Sequence, residues 1–209
     1  FCSLDRYTEA MLSGINSVNQ IDASHSDLLE ASNLFFRIYQ ADKTNWLPCY
    51  YYAFCNVKLS FIEEDPEIKD EYLDNSLYFL DSFDSLLVYD DIELEILAKS
   101  EIYTLYAMIM MSKIFVDPMS RGRKYGALSQ NYINRAIELN PDNPRPYFIM
   151  GQSKFYTPAA FGGGIDKALP LIKESMNKYD VYSHRSLWPN WGKNEAIILY
   201  NKSINNNEK

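Results

Sequence analysis

The chain is predicted to be all-α, with about nine helices and no sheet. Three observations carry this. Apolar residues recur with the 3.6-residue period of a helix that buries one face, and the period-two alternation of a strand is absent. Helix-starting and helix-stopping residues punctuate that period along the whole chain. A length of 209 residues, 47% hydrophobic and 15% aromatic, suits a packed core rather than disorder.

The period places helices over 4–18, 27–40, 46–62, 67–87, 91–116, 122–139, 144–157, 166–178 and 190–204. The first rests on periodicity alone. Ser26 precedes Asp27 at the start of the second, whose inward positions are Ala31, Phe35 and Ile38. The third carries Tyr52 and Ala53 inward. Asp65-Pro66 opens the fourth, which puts Ile68, Tyr72, Phe79, Leu80, Phe83 and Leu87 on one face. Its other face holds Glu67, Asp70, Glu71, Asp74, Asp81 and Asp84. Asp90-Asp91 place negative charge at the start of the fifth, where the helix dipole favours it, and Pro118 closes that helix. Ile133 and Ala136 point inward on the sixth. Asn143-Pro144 open the seventh as cap and first residue. An enlarged turn over Thr157–Gly164 leads to the eighth, with Ala168 and Ile172 inward, and Pro189 precedes the ninth. The tail over 205–209 should fray. No linker divides the chain, so one domain spans 1–209.

The spacing of these inward residues suggests how the helices pair. With Pro141 set as position 32 of a 34-residue hairpin repeat, Ile133 and Ala136 fall at 24 and 27. Tyr147, Met150 and Gly151 then fall at 4, 7 and 8 of the next unit. A small residue at position 8 lets two antiparallel helices approach closely. Ala53, Ala31 and Phe35 repeat the register earlier in the chain. The expected architecture is a tetratricopeptide-repeat-like (TPR-like) right-handed superhelix of stacked antiparallel hairpins. The register is lost in the middle, where two helices are longer than a standard repeat.

The net charge of −8 is uneven: residues 61–95 carry thirteen acids against Lys69 alone. The acidic stripe reads as a solvated outer face, with a cation or a basic partner as the alternative. It lacks the loop spacing and glycine turn of a calcium site. An acidic chain with no broad basic face argues against nucleic acid. No apolar run reaches the roughly 18 residues of a membrane span. Arg121, Arg123 and Lys124 form a short basic cluster expected to cap a helix or pair with the acidic stripe, with anion binding as the alternative. Cys49 and Cys55, six apart on one helix, point different ways and are expected as buried free thiols. Cys2 is a candidate lipid-modified cysteine disfavoured by the bulky Phe1. The start at Phe1 suggests that an export signal precedes the chain.

Catalytic signatures are missing. His25 and His184 lie at no metal-ligand spacing from each other or from a cysteine, and no nucleophile elbow or nucleotide loop occurs. Gly162-Gly163-Gly164 could form an anion nest, but Asp166 opposes one, so a widened turn is the expected role. No enzyme activity, metal or cofactor is expected.

Lys43-Thr-Asn-Trp-Leu-Pro48 with Tyr50-Tyr51, Val116-Asp-Pro-Met119 with Lys124-Tyr125, Asn143-Pro-Arg145, Gly162-Gly-Gly164 and Pro189-x-Trp191-Gly192 together give a resemblance. The chain resembles a family of small exported TPR-like proteins of Bacteroidetes such as flavobacteria, over about residues 28–200. The resemblance implies a helical-repeat fold and export to the periplasm or beyond, and brings no catalytic residues.

Two functions follow as expectations. The first is a scaffold that binds a protein or peptide. The TPR-like slots facing the concave side fall on Leu47, Tyr50, Phe54, Val57 and Lys58, and on Arg145, Phe148, Gln152, Phe155 and Tyr156. There the rings would cover apolar side chains, and Lys58 and Arg145 would hold a carboxylate. The alternative is a periplasmic small-molecule-binding accessory protein, with Tyr50, Tyr51, Tyr52, Phe54, Phe155, Tyr156 and Phe161 lining a cavity.

Overall fold

Side-chain caps and prolines decide where most of the described helices begin. The computed structural model of the chain describes residues 2–81, 91–183 and 185–207. Helix α1 is Cys2–Val18, α2 His25–Ala41, α3 Trp46–Ile62, α4 Pro66–Asp81 and α5 Ile92–Val116. Helix α6 is Pro118–Leu139, α7 Pro144–Tyr156, α8 Ile165–Val181 and α9 Lys193–Asn207, with a 3₁₀ turn over Ala159–Phe161. All described regular structure is helical, as the periodicity requires. Phe83, Asp84, Leu87, Asp90, His184, Glu208, Lys209 and the side chain of Cys2 lie outside the described residues.

Several helix ends differ from the sequence reading. The cap of α2 is Ser24, not Ser26: its hydroxyl accepts from Asp27 N while the Asp27 carboxylate accepts from Ser24 N, a reciprocal capping box. Pro118 opens α6 as well as ending α5, because its missing N–H is unneeded in a first turn and Asp117 accepts from Ser120 N. Residues 205–207 continue α9 beyond the expected end at 204.

By its contacts the chain divides into two compact units. The first holds α1–α4 with residues 91–95, 112–125 and 185–188. Its centre is α3, apolar on every side and packed on both α2 and α4. Tyr51 stacks on Phe35 at 5.0 Å and donates to Leu187 O at 3.1 Å. Trp46 meets Trp188 edge to face at 5.1 Å. Cys49 and Cys55 are buried and unbridged. Burial pushes the Cys49 thiol up to about 12 and raises Cys55 as well, so both stay protonated and inert. Lys113 reaches Asp74 at 2.8 Å and Asp70 at 3.2 Å, and Arg121 grips both oxygens of Asp70 at 2.6 Å. Two acids of the stripe are therefore engaged by cations, and Arg121 supplies the pairing expected of its cluster.

The second unit holds residues 96–111, 126–183 and 189–207. Helix α8 packs on α7 and on α9. A Cβ on Gly151 would stand 2.8 Å from Ile172 Cγ1 and 3.2 Å from Ile172 N, so Gly151 sets the approach of α7 to α8. Helices α5 and α6 are joined by two buried hydroxyls. Ser100 Oγ donates to Ala136 O at 2.8 Å, and Ser129 Oγ donates to Ala107 O at 2.9 Å. That reciprocal pairing runs the two helices antiparallel, with the side chains around residues 103–106 beside those around 132.

Candidate functional site

Most residues expected to line a concave groove do not face one. Tyr50, Phe54, Val57 and Phe148 are buried at 0%, 2%, 0% and 3% exposure. They are core, since α3 is buried nearly all round and α7 over most of its first two turns. Leu47 is buried too, and Lys58 donates to the carbonyls of Val18 at 2.5 Å and Gln20 at 3.1 Å. Its ammonium caps the C-terminal end of α1 instead of waiting for a ligand. Gln152 and Phe155 are half-buried, and Tyr156 is half exposed.

Arg145 has a different role from the one expected. It is 1% exposed and donates from Nη1 to Glu101 Oε1 at 2.9 Å and from Nη2 to Pro189 O. Asn143 Nδ2 reaches the same Glu101 oxygen at 3.0 Å and Ser100 Oγ at 3.1 Å, and Tyr182 OH donates to that oxygen at 3.4 Å. The rings of Tyr182 and Trp191 lie 5.1 and 5.8 Å from the guanidinium. Gly192, at φ 103°, passes so close to the Tyr179 hydroxyl that no side chain fits there. The motifs Asn143-Pro-Arg145 and Pro189-x-Trp191-Gly192 thus meet in one buried polar knot. Burial pushes the Glu101 carboxyl up from its ordinary value, against the opposing pull of Arg145, Tyr182 and Asn143. The knot holds α5, α7 and the 189–192 segment in fixed register.

On that framework three half-buried tyrosines come together. Tyr103 and Tyr106 lie one turn apart on α5, and Tyr132 lies on α6. The rings of Tyr106 and Tyr132 are 5.0 Å apart and 16° from parallel, and those of Tyr103 and Tyr132 are 6.0 Å apart and 22° from parallel. Arg135, one turn beyond Tyr132, places its guanidinium 5.0 Å from the centre of the Tyr103 ring. Near-parallel rings beside a cation form a surface for a flat apolar molecule with negative charge at its edge. Sequence reading missed it because tyrosines one turn apart on a long helix look like core, and the repeat register fails there. The signal available was the matched i, i+3 spacing of Tyr103/Tyr106 with Tyr132/Arg135.

Two other surfaces in the first unit have different chemistry. Phe36, Tyr39, Tyr52 and Tyr78 surround Phe79, with ring centres 4.5–5.8 Å from it. That cluster draws on α2, α3 and α4, within the acidic part of the chain. A cleft of about 380 Å³ between α1 and α2 is lined by Ser13, Ser17, Glu30, Asn33 and Arg37 among others. Its walls suit a small polar ligand.

No family model and no curated protein matches the chain. Among solved structures, the chain is similar to the HusA haemophore from Porphyromonas gingivalis. The two are 30% identical with a TM-score of 0.79, over 94% of this chain and 92% of that one.

Proposed function

Because the chain belongs to the family of the HusA haemophore, we propose that it binds haem, as a non-enzymatic carrier that works outside the cytoplasm. This follows the small-molecule alternative and sets the peptide scaffold aside. The supporting observation is the tyrosine surface. Haem is a flat apolar macrocycle with two carboxylates at one edge. The half-buried stack of Tyr103, Tyr106 and Tyr132 offers aromatic surface to the macrocycle, and Arg135 beside it offers a planar guanidinium to a carboxylate. The reading assigns the rings a stacking role, so their hydroxyls are dispensable.

Titration with haem, followed by absorbance, tests this. Tyr103→Ala combined with Tyr132→Ala should weaken binding about tenfold or more, in line with ~0.5–1.5 kcal/mol per aromatic pair beyond area burial. Tyr103→Phe with Tyr132→Phe should bind as the parent does, and Arg135→Glu should weaken binding. Unchanged affinity in the alanine pair sinks the assignment of this surface, and no haem binding by the parent sinks the function.

A further inference from the structure

The turn between α7 and α8 exposes Phe161 at 80% and Tyr156 at 52%, with Pro158, Ala159 and Ala160 also exposed. Exposed aromatics on a loose loop would be unremarkable, but this turn is built rigidly. Phe161 N donates to Pro158 O at 2.9 Å, Gly162 N to Ala159 O at 3.0 Å and Gly163 N to Pro158 O at 3.2 Å. Gly164 N donates to Lys154 O at 2.9 Å and Thr157 O at 3.0 Å. Gly162 and Gly164 sit at φ 86° and 103°, and a Cβ on Gly163 would overlap the Thr157 carbonyl. With its N–H groups used internally, the glycine run cannot serve as an anion nest.

We propose that this turn is a contact for a lipid bilayer surface, with Phe161 and Tyr156 entering the headgroup–acyl boundary. Two observations choose a bilayer over a protein pocket. The N–H groups from Phe161 to Gly164 are satisfied within the turn, so entering an apolar medium strands none of them. The charge is also right for anionic headgroups. Residues 154–173 carry Lys154, Lys167 and Lys173 against Asp166 alone, in a chain of net charge −8. The ammonium groups of Lys154 and Lys167 converge on Gly162 O at 3.4 and 3.3 Å, at the base of the aromatic tip. Aromatic rings at the boundary with lysines in the headgroup layer are the arrangement by which peripheral proteins bind membranes.

The test uses the intact chain without haem, so it is independent of the haem reading. Partition is measured onto vesicles of phosphatidylcholine alone and of phosphatidylcholine with phosphatidylglycerol. Phe161→Trp should show blue-shifted difference emission over the parent, whose three tryptophans give the baseline, and brominated lipid should quench it. Phe161→Ser, at an exposed position that leaves helicity by circular dichroism intact, should reduce partition about tenfold, the order expected for withdrawing one phenyl group. Lys154→Glu with Lys167→Glu should reduce partition onto the anionic vesicles several-fold. Emission unshifted by either vesicle, emission that shifts only with added protein, or unchanged partition of Phe161→Ser overturns the proposal.

Discussion

At the scale of single residues, Arg145 shows how burial assigns a role that residue type leaves open. A guanidinium at 1% exposure requires a partner of opposite charge, and Glu101, also at 1%, supplies it. The pair is held in place by Asn143, Tyr182 and the Pro189 carbonyl. Arg145→Ala would strand a buried carboxyl and should cost ~3–5 kcal/mol in denaturant unfolding. Arg145→Met combined with Glu101→Gln should cost much less than the sum of the two single changes, since no charge is left behind. A double variant as unstable as that sum would show that the knot stabilises by shape alone.

At the scale of elements, close helix approach and ion pairing do separate work. Gly151→Leu would drive a side chain into Ile172 on α8 and should lower stability by ~1–3 kcal/mol or more, read from the thermal midpoint. Ala53→Leu, in the fully buried centre of α3, should act the same way. An unchanged midpoint in both would show that the hairpin spacing does not depend on these small residues.

In the first unit, α4 is tied to the start of α6 through Asp70. Its carboxyl is held below the usual carboxylate range, chiefly by the hydrogen bonds from Arg121 and also by Lys113. A carboxylate with a lowered folded pKa contributes stability above its unfolded value, near 4, and that contribution is lost as pH falls through the folded value. Asp70→Asn should therefore be less stable than the parent at pH 7. Its midpoint should also fall less steeply between pH 7 and pH 3. Parallel curves for the two proteins would remove Asp70 from the acid response.

At the scale of the whole molecule, ligand binding and charge connect fold to function. Haem that binds the folded chain but not the unfolded one stabilises it by mass action, ~2.7 kcal/mol at a hundredfold excess over Kd. Thermal midpoints should rise with haem in the parent and rise clearly less in the Tyr103→Ala, Tyr132→Ala double variant. A rise of equal size in both would move the binding surface elsewhere. Charge is segregated as well: residues 61–95 are strongly acidic, whereas Arg135 on the tyrosine surface and the lysines of the α7–α8 turn are basic. That contrast is why an anionic flat ligand is assigned to Tyr103, Tyr106 and Tyr132 and not to the larger aromatic cluster around Phe79.

The sequence by itself determined the helices, because a helix is a local structure whose period and caps are written within a few residues. The start of α7 at Pro144 and the close approach at Gly151 could be read directly. So could the free thiols and the widened turn over Gly162–Gly164. Errors at the local level came from competing caps, such as Ser24 against Ser26, where two hydroxyls flank one helix start and only backbone geometry selects between them. Which face of each helix meets water was decided only in the tertiary structure. Tyr50, Phe54 and Phe148 have the residue types of a binding groove, but the packed chain buries them. Tyr103, Tyr106 and Tyr132 have the types of a core, but the serine-linked pairing of α5 with α6 gathers them at a half-buried surface. Exposure is a property of what packs against a residue, often from far along the chain, and a periodic pattern records only that a helix has an apolar side.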